Sequence, residues 1–207
     1  MNKYIVEFIG TFFLVLTVGC TVIEPGAGAL APLAIGSVLM VMIFAGGHIS
    51  GGHYNPAVTL AVWLRGKCTP PDAVAYMISQ VIGGVLAALV VKYLKADSVI
   101  VAGEHQVVPA LVAEFLFTFA LAYMVLNVAT AKGTEGNSFY GLAIGFTVMV
   151  GAFSVGNISG GAFNPAVAVG ISVMGLSTWS FIWVYLVANL AAGAFAALVF
   201  KTVDPGD

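Results

Sequence analysis

Charge is what this sequence has least of. Only 8% of its 207 residues are Asp, Glu, Lys or Arg, while 60% are hydrophobic. A soluble domain carries about 25% charged and about 45–50% apolar residues. So few charges cannot cover a water-facing surface, which excludes an ordinary soluble domain and points to a multi-spanning membrane protein. The net charge of −2 offers no basic face to a nucleic acid. Cysteine is nearly absent as well. Cys20 and Cys68 stand in different contexts, form no CxxC pair and exclude a disulfide framework. They read as buried or interfacial small residues. No serine has a His or Asp spaced to activate it, and no metal-ligand cluster is visible, so no enzyme, metal or cofactor is expected. Glu7 interrupts the first apolar run and no convincing small-residue cleavage site follows it. That run reads as a first transmembrane helix and not as a removed signal peptide.

What the sequence has is long uncharged stretches. A spanning helix needs about 20 mainly apolar residues. The pattern predicts six crossings, at about residues 4–23, 31–47, 72–95, 107–129, 139–156 and 177–201. Two short apolar pieces remain, at 55–64 and 164–174, each only about half a membrane deep at a rise of about 1.5 Å per residue. With both ends inside, Lys3, Arg65, Lys67, Lys132 and Lys201 face the cytoplasm and only Lys92 and Lys95 face out. The excess of positive charge favours that orientation.

The chain also repeats itself. The run from Gly47 to Val58 (GHISGGHYNPAV) matches the run from Gly156 to Val167 (GNISGGAFNPAV) at an offset of 109. The same offset aligns Leu33–Gly36 with Leu142–Gly145, and Ala87–Val90 with Ala196–Val199; Glu7-Phe-x-x-Thr-Phe recurs from Glu114 at an offset of 107. The chain therefore reads as one domain of two repeats, about 1–103 and 104–207. Each repeat has three full crossings, so the second sits upside down relative to the first. Inverted repeats with discontinuous helices place their functional site near mid-membrane, at the repeat interface. The expected fold is an all-α membrane protein with six transmembrane helices and two re-entrant half-helices that meet tip to tip.

Asn55-Pro56-Ala57 and Asn164-Pro165-Ala166 open those half-helices. Asn is a good N-cap, and Pro at the first helical position loses no hydrogen bond. Irregular backbone at membrane depth is tolerated only where protein buries it or water lines it, and the Gly-Gly stretches before each Asn are such backbone. Each half-helix would point its N-terminus at the centre, where its macrodipole presents about +0.5 charge. Two such ends oppose cations. The two Asn amides would donate to a passing oxygen, and a water so held relays a proton poorly.

These residues resemble the aquaporin and aquaglyceroporin family over nearly the whole chain, from Glu7 to Lys201. The run from Gly47 to Thr59 carries the most specific match, and the second motif, with Val167 after Ala166, is similar to that of plant tonoplast intrinsic proteins. The resemblance implies a homotetramer in the bilayer with one pore per subunit, in a plasma or prokaryotic inner membrane. It also implies a narrower filter of four positions, which fall on Ile35, Ala152, Gly161 and Val167. Water-selective members typically place an aromatic, a His and an Arg there, and this chain has none of the three. The opening should be wider and more apolar, and pore width and lining donors set selectivity. Glycerol facilitators usually carry an Asp where this chain has Ala168. The expected cargo is water with small uncharged solutes such as hydrogen peroxide, ammonia or urea. The alternatives are a glycerol or metalloid-type facilitator, a secondary transporter, and a non-conducting structural member.

An intramembrane carboxylate is costly and usually paired or functional. The resemblance casts Glu7 and Glu114 as braces for the re-entrant loops; a proton-coupling carboxylate is the other reading. His48 and His53, beside the first glycines, read as loop support or as a gate. Ser50 and Ser159 read as loop hydrogen-bonders. His105 reads as part of a solvated outer loop.

Overall fold

The computed structural model describes residues 1–206, and all regular structure in them is helical. Six long helices run Asn2–Val22 (α1), Ala31–Ser50 (α2), Pro70–Leu94 (α4), Val107–Thr130 (α5), Tyr140–Ser159 (α6) and Ile182–Val203 (α8). Two short ones, Pro56–Leu64 (α3) and Pro165–Met174 (α7), lie between α2 and α4 and between α6 and α8. The six long spans are apolar enough to cross a membrane, and their outward faces carry exposed Ile5, Ile9, Ile78, Ile82, Val112 and Leu116. The molecule is a multi-pass integral membrane protein.

Two helices run three residues beyond the sequence expectation. The Gly-Gly pair at 46–47 does not end α2, which continues to Ser50; α6 likewise runs to Ser159 and not 156. Gly46 makes room for a neighbour within the helix, since a Cβ on it would meet the Tyr54 hydroxyl, whereas one on Gly47 would meet nothing nearer than 3.5 Å. The break comes at Gly51 and Gly160, both left-handed at φ 91°, a conformation that glycine adopts without steric cost. At the other end of the chain, a 3₁₀ turn over Trp179–Phe181 precedes α8, so the regular helix begins later than 177.

Packing repeats with the sequence. Helix α1 lies on α4, α5 lies on α8, and α2 crosses α6 at the centre. At that crossing a Cβ on Gly36 would lie 2.7 Å from the Gly145 carbonyl, and one on Gly145 would lie 2.5 Å from that of Gly36. Small residues let membrane helices approach to backbone contact in this way. The tips of α3 and α7 are seated likewise. A Cβ on Gly84 would press on the Ala166 carbonyl, and one on Gly193 on the Ala57 carbonyl. Each half-helix start is thus clamped by a glycine of a long helix of the other half.

Candidate functional site

Asn55 and Asn164 cap the half-helices with their side chains. Asn55 Oδ1 accepts from the N–H groups of Ala57 (2.8 Å) and Val58 (3.4 Å). Asn164 Oδ1 accepts from those of Ala166 (2.9 Å) and Val167 (3.4 Å). That fixes each amide with its NH₂ turned outward from the helix. One N–H of Asn55 then donates to the Phe163 carbonyl at 2.8 Å, and one of Asn164 to the Tyr54 carbonyl at 2.8 Å. An amide has two N–H donors, so each Asn retains one beyond this exchange. The same bonds occupy the last carbonyl of each loop, so those two are not left for cargo.

The loops ahead of the tips are held from behind. Glu7 is fully buried and accepts from Ser50 Oγ (2.6 Å), the His53 N–H (3.0 Å), the Tyr54 N–H (2.7 Å) and Gln80 Nε2 (2.8 Å). Glu114, equally buried, accepts from Ser159 Oγ (2.8 Å) and the N–H groups of Ala162 (2.9 Å) and Phe163 (2.7 Å). Ser50 and Ser159 also accept from the N–H groups of Gly52 (3.0 Å) and Gly161 (3.1 Å). In a trans peptide the N–H and the preceding C=O point in opposite directions. Three consecutive N–H groups turned to the brace therefore turn the carbonyls of Gly51, Gly52 and His53 the other way, and likewise those of Gly160, Gly161 and Ala162. The cost appears at Tyr54 and Phe163, non-glycine residues with φ of 49° and 47°, which side chains rarely adopt.

A cavity of about 440 Å³ passes both Asn residues. Its wall is apolar and is built twice: Leu14, Val18, Ile35 and Leu39 recur as Leu121, Val125, Ile144 and Val148. The four positions Ile35, Ala152, Gly161 and Val167 all line this one cavity, so residues far apart in sequence come together there. Neither Cys20 nor Cys68 is among its lining residues. A second cavity of about 600 Å³ lies on the face where α5 ends and α6 begins, with His48, Lys67 and Asn137 in its wall.

His48 and His53 part company. His53 is buried, with Nδ1 3.1 Å from Thr59 Oγ1 and its ring edge-on to Tyr76 at 5.1 Å. His48 does not support the loop. It is exposed and lines the second cavity, and the ring that sits in the loop is that of His53. His105 departs from its expected place in a solvated loop: it is half-buried and lines the first cavity. Burial pushes its imidazole below the usual histidine range, partly offset by the Ile158 carbonyl.

Several members of the brace escaped the sequence reading. Gln80 joins Glu7 to Thr59 (2.9 Å), and Tyr76 and Tyr185 donate to the Ser50 and Ser159 carbonyls at 2.7 Å each. Thr118 donates to Asn189 at 2.9 Å. A signal was available, since Gln80/Asn189 and Tyr76/Tyr185 sit at the same offset of 109 as the motifs.

Comparison with known proteins gives a consistent result. The family model described as "Major intrinsic protein" matches residues 2–200. The chain is 37% identical to Aquaporin-8 of Mus musculus, over 95% of this chain and 80% of that protein. It is 36% identical to Aquaporin NIP1-1 of Arabidopsis thaliana, over 98% and 74%. It is 35% identical to Glycerol uptake facilitator protein-like 6 of Lactiplantibacillus plantarum, over the full length of both. The X-ray structure of the aquaglyceroporin from Plasmodium falciparum shares the fold at a TM-score of 0.82 and 19% identity, covering 98% of this chain and 96% of that one.

Proposed function

Because the chain belongs to the major intrinsic protein family, a family of passive channels for water and small solutes, we propose that it conducts water with small uncharged solutes through a wide, apolar filter. The cargo includes hydrogen peroxide, ammonia and urea. The observation that carries this reading is the composition of the cavity wall. Two Asn amides and the loop carbonyls offer hydrogen bonds along one strip, and Ile35, Ala152, Gly161 and Val167 offer none from their side chains.

Passage then proceeds in single steps between those polar points. The two half-helix N-termini, each worth about +0.5 charge, meet at Asn55 and Asn164 and oppose cations. A water oxygen that accepts the remaining N–H of both amides has used both lone pairs. It cannot accept a proton from its neighbour, so protons are not relayed. Glu7 and Glu114 act as braces, since every donor around them is a loop or side-chain group already bound. This favours a channel over an ion-coupled transporter. The two halves, about 1–103 and 104–207, act as one domain. We place both termini in the cytoplasm of a plasma or prokaryotic inner membrane, and four copies in the working assembly.

Stopped-flow light scattering on proteoliposomes, with water, glycerol, urea, ammonia and hydrogen peroxide side by side, tests the reading. Fluxes above those of empty vesicles are expected for water and at least one solute; fluxes equal to empty vesicles for all five would end it. Glycerol belongs on the panel because the full-length bacterial relative is named for its uptake. Val167→Arg places a charged side chain on the filter and is expected to lower the solute-to-water ratio about tenfold or more, the scale of a charge-assisted hydrogen bond and a narrowed pore. An unchanged ratio would show that Val167 does not line the constriction.

A further inference from the structure

Among the differences between the two halves beside the cavity, one concerns an imidazole ring. In the first half His53 fills the space next to left-handed Gly51, its Nε2 3.2 Å from where a Cβ on that glycine would lie. At the corresponding place in the second half, an offset of 109 later, stands Ala162, which has no ring. An imidazole is nevertheless there. His105 Nε2 lies 3.5 Å from where a Cβ on Gly160 would lie, although His105 belongs to the connection between α4 and α5.

That connection is fastened to bring the ring in. The Gly103 N–H donates to the Leu176 carbonyl at 3.0 Å, which ties the segment to the end of α7. A side chain at Gly103 would displace the ring, because a Cβ there would lie 2.7 Å from His105 Nε2. The ring leans on Phe181 at 6.0 Å, and Phe181 leans edge-on on Tyr185 at 5.5 Å. His105 and His53 line the same cavity as the four filter positions.

We propose that His105 is a specificity-determining residue of the outer mouth, its imidazole supplying the polar contact that Ile35, Ala152, Gly161 and Val167 lack. The solutes it selects are small and neutral and carry both donor and acceptor atoms, as water, ammonia and urea do. The inference rests on the channel reading. A neutral imidazole suits the role, since one nitrogen donates and the other accepts. Burial keeps the ring neutral at pH 7. Of the ionisable groups around it, Glu104 is exposed to solvent and the Tyr185 hydroxyl is committed to the Ser159 carbonyl at 2.7 Å.

The experiment compares urea-to-water permeability ratios in proteoliposomes, which cancel differences in the amount of inserted protein. His105→Ala removes a hydrogen bond that urea, which sheds more of its water shell than a water molecule does, needs more. The ratio is therefore expected to fall about fivefold, the worth of one net hydrogen bond. A rise would mean that the ring acts as bulk alone and would overturn the inference. His105→Gln, which keeps a donor and an acceptor, should stay within about twofold of wild type. Gly103→Ala keeps the imidazole but displaces it, and should shift the ratio in the direction of His105→Ala. Adding Ala162→His to His105→Ala should restore the ratio, because it returns the ring from the neighbouring loop. If wild type conducts and His105→Ala leaves the ratio unchanged, this inference falls and the channel reading stands. If wild type conducts nothing, both fall.

Discussion

At the scale of the residue, the two braces are alike in design and unequal in strength. Gln80 reaches both Glu7 and Thr59, whereas its counterpart Asn189 is one methylene shorter and faces Ala168 where Thr59 would be. Gln80→Ala leaves Glu7 and Thr59 short of a donor and is expected to cost about 1–3 kcal/mol. Asn189→Ala removes the acceptor of Thr118 and a weaker contact to Glu114, and should cost less. Thermal unfolding of the two purified variants in detergent would check the order; a larger loss for Asn189→Ala would contradict it. The same scale carries a pH prediction. Burial depresses the His105 pKa, so its charged form is populated only below the ordinary histidine value of about 6.5. The urea-to-water ratio is therefore expected to be flat from pH 8 down to that value and to change only in more acid buffer. In His105→Ala the acid change should vanish.

At the scale of the element, the half-helices are short because they begin at mid-membrane, and they stay there because glycines hold their first turns. Gly193 against Ala57 and Gly84 against Ala166 are backbone contacts. A backbone cannot swing aside as a side-chain tip can. Gly193→Ala is expected to push α3 off α8 at a cost of about 1–3 kcal/mol, with water permeability lost along with stability. Gly66, which has open space around its Cβ position, is a control for added bulk; its positive φ of 85° makes Gly66→Ala mildly strained but free of any clash. Wild-type permeability in Gly193→Ala would refute the clamp.

Much at this scale was legible in the sequence. Six apolar runs and two short remainders gave the eight helices to within a few residues, because hydropathy and length are local. The Asn-Pro-Ala starts were legible because capping chemistry is local too. The ends of α2 and α6 were not, since whether Gly46-Gly47 breaks a helix depends on Tyr54 arriving from eight residues on. Gln80 and Tyr76 were hidden for a similar reason: a polar residue in a spanning run shows its purpose only when its partner is known. His105 was the largest miss, because nothing in the 95–106 segment betrays that Gly103 will bond to Leu176 and turn the ring inward.

At the scale of the whole molecule, the two halves complete one another. Each Asn amide donates to a carbonyl of the other half, and each half-helix tip rests on the other half's glycine. Residues 1–103 or 104–207 produced alone are expected to insert but not to conduct. Co-production of the two pieces should recover water permeability in proteoliposomes. Conduction by either piece alone would show that the exchanged bonds are dispensable.

The exchanged bonds also have a place in time. The partner that satisfies Asn55 is made 108 residues later, and the donor that satisfies Tyr54 comes from 110 residues on. At about 5–20 residues per second of synthesis, the wait is roughly 5–20 s. Throughout it the first tip has a carbonyl and an amide that lipid cannot satisfy. Until the second tip emerges, α3 must stay close to the wet edge of the bilayer or keep water around its tip, and mid-membrane becomes a stable address only when both have arrived.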